Sequence, residues 1–547
     1  HTRRRRQRQM CIRDSNIDIG AGAATTFTTA ADNITFATAN IELANGSDLT
    51  VDTGAAGGNI TIGEIDGDSV ETVTLDAGTG TTSVGVIGTG TEIGAVSIGS
   101  AENGGITLNG AITTDGAVTI DGPVTLATGA ISVTTANDAI TFNHTIDGGQ
   151  ALTLVSGTAA TTITGNIGAG TALTGLTITN GTANGTITFG GNIGDGSGAG
   201  VEGTTSIGNT NTADLNFNST IYSFDGATTI TAASGDNIDI AAGAATTFTT
   251  AADNITFATA NIALANGSDL TVDTGAAGGN ITIGEIDGDS VETVTLDAGT
   301  GTTSVGVIGT GTEIGAVSIG SAENGGITLN GAITTDGAVT IDGPVTLATG
   351  AISVTTANDA ITFNHTIDGG QALTLVSGTA ATAIQGEIGG NTAISSLTIT
   401  NGTANGTIEI SNIGGVTGAT AIGNTNTGTI TLDGTAYTTT GTQTYTAATG
   451  QNIDITGAAT FTTTNSNIAF NTSGVDLANN GTTTINTGAG AGTVTFGAAI
   501  EGNSATAPFN DLLVITSGTG DVTFTGAIGA TNALGGLSVN ELSLIHI

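Results

Sequence analysis

The sequence predicts an all-β fold: a β-solenoid of short strands wound in coils of roughly 20–25 residues. Three observations carry that prediction. Apolar and polar residues alternate with period two over short runs, Gly, Asn and Asp punctuate the runs, and the resulting strand–turn phrases recur inside a long tandem repeat. No segment holds an apolar stripe of helical period for three turns.

The alternation is clearest between residues 118 and 146. Val118, Ile120, Val124, Leu126, Ile131, Val133, Ile140, Phe142 and Ile146 fall on one face, with Thr, Ser, Asp or Asn between them. Period two in short runs is the strand signal, and the abundant Thr, Val and Ile suit a pleated surface. Glu42 lies between Ile41 and Leu43 and is expected to point outward. The punctuation falls at Asp121-Gly122, Asp147-Gly148, Asn180-Gly181 and Asn184-Gly185, which are expected to supply positive φ at the corners.

The repeat is the third observation. Residues 17–161 return at 238–382, an offset of 221, with two differences: Gly20 becomes Ala241 and Glu42 becomes Ala263. Leu176–Ile187 returns as Leu397–Ile408, and a third copy opens at Asn452–Ile455 before drifting. The chain is therefore read as repeat copy 1 over 16–236, copy 2 over 237–451 and a degenerate partial copy 3 over 452–541. A finer period lies inside. Thr162–Gly168 and Ala172–Ile178 match Thr523–Gly529 and Ala533–Val539, at an offset of 361 that is no multiple of 221. The alternative fold, tandem β-sandwich domains, calls for strands of about 5–6 residues and a repeat near ~100 residues. The strands here are shorter and the inner period too short. Roughly 23 coils at about 4.8 Å each predict a rod on the order of 110 Å. Its cut ends would leave unpaired strand edges and favour end-to-end self-association.

The ends of the sequence are set apart. Arg5–Ser15 (RRQRQMCIRDS) reads as the translation of a transposase-library primer and mosaic end, and Leu542–Ile547 (LSLIHI) as the reverse complement of the same mosaic end. Residues 1–15 and 542–547 are accordingly expected to be adapter-derived artefacts and are excluded from fold prediction. With them go Met10, Cys11 and all six basic residues, which lie between Arg3 and Arg13.

What remains is polyacidic, at about −45 over residues 15–547. Such a surface repels nucleic acid and anionic membranes, both of which need cationic patches, and attracts divalent cations. There is no disulfide or thiolate metal site. Pro occurs only at 123, 344 and 508, which excludes collagen and Pro-rich linkers. No stretch approaches the ~18 unbroken apolar residues of a membrane helix.

Asp138–Gly148 (DAITFNHTIDG) and Thr519–Gly529 (TGDVTFTGAIG), each followed by a phrase opening Ala-Leu, resemble the repeat region of filamentous-haemagglutinin-like exoproteins and of giant bacterial β-strand-repeat surface proteins. The resemblance covers almost all of residues 16–541. It implies a right-handed parallel β-helix, export to the bacterial cell surface or beyond, and a structural role in adhesion, aggregation or biofilm. The partners it implies are host or neighbouring-cell surfaces and matrix glycans or proteins. It carries no active site.

Candidate chemistry is sparse. Glu64, Asp66, Asp68 and Glu71, with Glu285, Asp287, Asp289 and Glu292 in the second copy, are the densest acidic clusters. Carboxylates at this spacing can hold Ca²⁺ through oxygen, and calcium is the one cofactor the sequence suggests; a solvated acidic loop is the plainer expectation. His144 and His365 occupy one position in the two copies and are expected at a corner facing water. A pectate-lyase-like site needs a cation to stabilise developing negative charge, and no Lys or Arg is at hand to supply it. Paired acids for glycoside hydrolysis remain compositionally open. Thr25–Thr29 (TTFTT) resembles the faces of ice-binding solenoids, which need a flat Thr ladder of one rank per coil. Coil length varies here, so no such ladder is expected. Three functions follow, in order: a structural and adhesive repeat, a calcium-dependent surface-layer or matrix protein, and a carbohydrate-active β-helix. The first two require no catalysis.

Overall fold

A computed structural model describes residues 16–20, 22–100, 104–182, 184–321, 325–478, 481–503 and 509–540, with the backbone of 545 and 546. The expected artefact at 1–15 and residues 542–544 and 547 lie outside the described residues. Every regular element among the described residues is a strand. The strands build a right-handed parallel β-solenoid of about 21 turns. The chain divides into two compact units, the first closing at Asp239 and the second opening at Ile240.

In the first unit, strands Leu49–Asp52, Thr72–Asp76, Ala95–Gly99, Val118–Asp121 and Ile140–Phe142 stack one upon the next in parallel. Each strand is short because its alternation lasts only until the next corner. Inward positions form apolar columns: Val73, Val96, Val118 and Ile140, and beside them Leu75, Ile98, Ile120 and Phe142, all 2 % exposed or less. The other residues read as one face, Val124, Leu126, Ile131, Val133 and Ile146, are buried as well. One coil cannot enclose these side chains alone; the coils above and below close the core.

The outward positions stack in register too. Thr26 lies on Thr50, Thr50 on Thr74, Thr74 on Ser97, and Ser97 on Thr119. The column continues with Thr119 on Thr141, Thr141 on Thr162, Thr162 on Thr188 and Thr188 on Asn216. The step is 21 residues from Thr141 to Thr162 and 28 from Thr188 to Asn216, yet the column is unbroken. The corners take up the difference: residues 190–204 all lie between strands Gly185–Phe189 and Thr205–Ile207. The expectation that variable coil length would prevent a Thr ladder is therefore corrected. Pairing of backbone N–H and C=O groups fixes strand register, and it is indifferent to the length of the loop between strands.

The second unit repeats the pattern. Thr247, Thr271, Thr295, Ser318, Thr340 and Thr362 form its outer column. Further along, the same column carries Ala383, Glu409, Thr431, Asp454, Asp476 and Glu501. Its core contains an aromatic stack in which Tyr445, Phe470, Phe496 and Phe524 follow one another at centroid spacings of 5.1, 5.1 and 5.4 Å. Rings in register on adjacent strands stack face to face at the strand spacing.

Two local expectations are refined. Gly148 and Asn184 do adopt positive φ, 121° and 78°, whereas Gly122, Gly181 and Gly185 do not. Gly122 is required for a different reason: a Cβ there would meet the Gly104 carbonyl oxygen at 2.4 Å. The strands are not uniformly short either. Ile34–Leu43 and Ile255–Leu264 each run ten residues, and each shifts register midway, between Phe36 and Asn40 and between Phe257 and Asn261, to carry the strand round a corner. At the far end, Ile545 and His546 pair with Val522 and Thr523; an open strand edge accepts any extended dipeptide.

Candidate functional site

The acidic clusters sit where the strands Ile60–Asp66 and Thr72–Asp76 meet at a corner. Glu71 is completely buried. Its Oε1 accepts the N–H of Gly46 at 2.9 Å, and its Oε2 accepts those of Asp68 at 2.5 Å and Val70 at 3.4 Å. Asp66, 9 % exposed, accepts the N–H groups of Gly90 and Thr91 at 2.9 and 3.4 Å, and the Asn40 amide at 3.1 Å. Asp68 is exposed and takes the Asn45 amide at 3.0 Å; Glu64 is half-buried beside Asn40. The second unit reproduces the arrangement. Glu292 is buried and accepts from Gly267 and Asp289; Asp287 accepts from Gly311 and Thr312; Asp289 accepts from Asn266; Glu285 is exposed.

The reading of these loops as solvated therefore fails for Glu71 and Glu292. The corner leaves several part-buried backbone N–H groups without strand partners, and the buried carboxylate in turn needs donors. A carboxylate with two oxygens satisfies three of them at once. The oxygens that would have faced a cation are directed at these donors. Among the described residues, no three His, Cys, Asp or Glu side chains gather in a way that could hold a metal ion.

The alternation itself carried a signal for this. Glu71 has the parity of Val73 and Leu75, which point inward, and Val70 has the outward parity. Accordingly Glu71 is buried while Val70 is 58 % exposed, and Val291 62 % exposed in the second unit. Ser69 and Ser290, with φ of 72° and 71°, make the tight turn that leads into each pair.

A cavity of about 480 Å³ opens beside this corner in the first unit, lined among others by Asp18, Gly20, Glu42, Asp66, Gly90 and Thr91. Asp18, Glu42 and Asp66 stack in register on successive coils. Glu42 is exposed, as expected, and accepts the Asn16 amide. Both positions at which residues 17–161 differ from 238–382, Gly20 and Glu42, line this cavity.

His144 is partly exposed, and its Nε2 lies 3.2 Å from Asp121 Oδ1; His365 and Asp342 repeat the pair at 3.2 Å. The corner position is as expected, while the Asp partner comes from the coil before, distant in sequence but adjacent in space. In the second unit, Asp454, Asp476 and Glu501 stack in register. Burial, and then the charge of Asp476, push the Asp454 carboxyl above its ordinary value; burial and Glu501 do the same to Asp476. Asp239 in the first unit is raised by burial and by Asp214.

No protein-family model, curated protein or solved structure matches the chain. No helix among the described residues is long and apolar enough to cross a membrane.

Proposed function

We propose that this chain is the structural and adhesive repeat of an exported bacterial surface protein, of the filamentous-haemagglutinin-like or giant β-strand-repeat kind, working outside the cell or on its outer surface. The observation that supports this reading most is the combination of a stacked parallel solenoid with an outer surface that carries acids and no Lys or Arg from Asp14 onward. Such a repeat sets length and presents many copies of one surface; its charge keeps it soluble and away from nucleic acid. Its partners would be cell surfaces and matrix glycans or proteins. Catalysis is not part of the proposal, and the hydrogen-bonded carboxylates argue against a calcium-dependent variant of it.

The test is display of residues 16–541 on a non-adherent bacterial strain, followed by cell–cell aggregation and binding to immobilised matrix glycans and proteins. At least a several-fold gain over the undisplayed strain is expected, unchanged by chelator. A gain that vanishes with chelator would support the calcium-dependent alternative instead. No gain on any surface would overturn the adhesive reading.

A further inference from the structure

The outer column of the first unit carries a row of hydroxyl groups, one per coil, from Thr26 to Thr188, followed by Asn216. Eight of its nine members are Thr or Ser, and none is charged, on a chain with a net charge of −40. Each is at least partly exposed, and each is held between two inward-pointing neighbours. The threonines at the corners behave differently. Thr29, Thr53, Thr114 and Thr135 turn their hydroxyls onto backbone carbonyls, whereas the column presents its hydroxyls to solvent. Its only side-chain bond among the described residues is at the end, where the Asn216 amide donates to Thr188 at 3.3 Å.

On one side of the column the surface is low: Ala117, Ala139 and Ala160 face one another on successive coils next to Thr119, Thr141 and Thr162. On the other side stand Asp52, Asp76 and Asp121, two residues on from Thr50, Thr74 and Thr119. Strand stacking fixes the step at about 4.8 Å, close to the shortest lattice translation of hexagonal ice. The column thus offers a hydroxyl and a methyl at each step of a rigid, nearly linear grid. No aromatic side chain lies on it, so it has no platform for stacking on sugar rings. These features single out an ordered lattice of water as the ligand.

We propose that the Thr26–Asn216 column is an ice-binding face, with the six hydroxyl ranks from Thr247 to Thr362 forming a second one in the other unit. This goes beyond the adhesive role and does not rest on it. The two faces end differently. Beyond Thr362 the column of the second unit becomes Ala383 and then Glu409, where the grid is lost.

The experiment uses the whole chain, fluorescently labelled, on a single ice crystal grown slowly from solution, with ice recrystallisation measured in parallel. The wild-type chain should label the crystal and slow recrystallisation. One variant carries Tyr at Thr74, Thr119, Thr141, Thr295, Thr340 and Thr362; a second carries Asp at the same six positions. The fold accepts Asp in this column, since Asp454 and Asp476 occupy it. The Asp variant should keep its circular-dichroism spectrum, with a lowered melting temperature at pH 7 from its stacked carboxylates, and lose at least tenfold in ice labelling below that temperature. Unlabelled ice with the wild-type chain would overturn the proposal. So would labelling that survives both sets of substitutions, or retention on insoluble polysaccharide with none on ice.

Discussion

Replacing Glu71 by Gln changes the volume of a completely buried side chain very little, yet exchanges one acceptor oxygen for an amide donor. The geometry allows two placements. With the amide nitrogen at the Oε1 position, it confronts the N–H of Gly46, which now lies 2.9 Å from the carboxylate; at the Oε2 position it confronts those of Asp68 and Val70. The first is the smaller loss, one bond. A hydrogen bond to a charged acceptor contributes about 1.5–3 kcal/mol, and a buried N–H left without a partner costs about 1–3 kcal/mol. These overlap, so Glu71→Gln should destabilise the corner by about 2–4 kcal/mol, and Glu71→Ala, which orphans all three donors, by more. A solenoid opens locally, so the readout is amide exchange at the corner, expected to quicken by about 30- to 1000-fold. The near-identical Glu292 corner provides an internal control. A peptic peptide that spans Glu42 differs in mass from its twin carrying Ala263, and one that spans the substituted position 71 differs from its twin carrying Glu292. The two corners can therefore be followed in one sample. Equal exchange in both would refute the claim that this carboxylate holds the turn.

Three further outcomes follow from the same geometry. Because burial and like charge raise the folded pKa of Asp239, Asp454 and Asp476 above the ordinary 3.8, the folded state holds their protons more tightly. Stability should therefore rise as pH falls from 7 through the raised values and level off below 3.8; Asp454→Asn with Asp476→Asn should raise the melting temperature at pH 7 and flatten that slope, and a slope left unchanged would show that these groups do not matter. A Cβ at Gly85 would lie 2.0 Å from the Gly63 carbonyl oxygen, so Gly85→Ala must shift a neighbouring strand; denaturant titration should show a loss of about 1–3 kcal/mol or more, and a neutral result would mean the coils are not so closely stacked. Millimolar Ca²⁺ should move the melting temperature by no more than a degree or two, since Asp66, Asp68 and Glu71 already face N–H donors; a larger shift would restore the calcium site suggested by their spacing.

The sequence by itself determined the strands. Alternation around Val118, Ile120 and Phe142 named the inward residues correctly, because a side-chain period of two is a local property that any pleated strand must obey. It also placed Glu42 outward and the His144 pair at a corner. The acidic corner was legible only in part. Spacing brought Glu64, Asp66, Asp68 and Glu71 together, and parity marked Glu71 as inward, but one of the donors that occupy it comes from Gly46 in the coil before, about one turn away in sequence. The hydroxyl column was decided by tertiary structure alone. Coil lengths between its members run from 21 to 28 residues, so no fixed period in the sequence announces it. What aligns Thr26 with Thr50 and Thr141 with Thr162 is the hydrogen-bond ladder between stacked strands, which sets register at each pairing and leaves the corners free to differ in length.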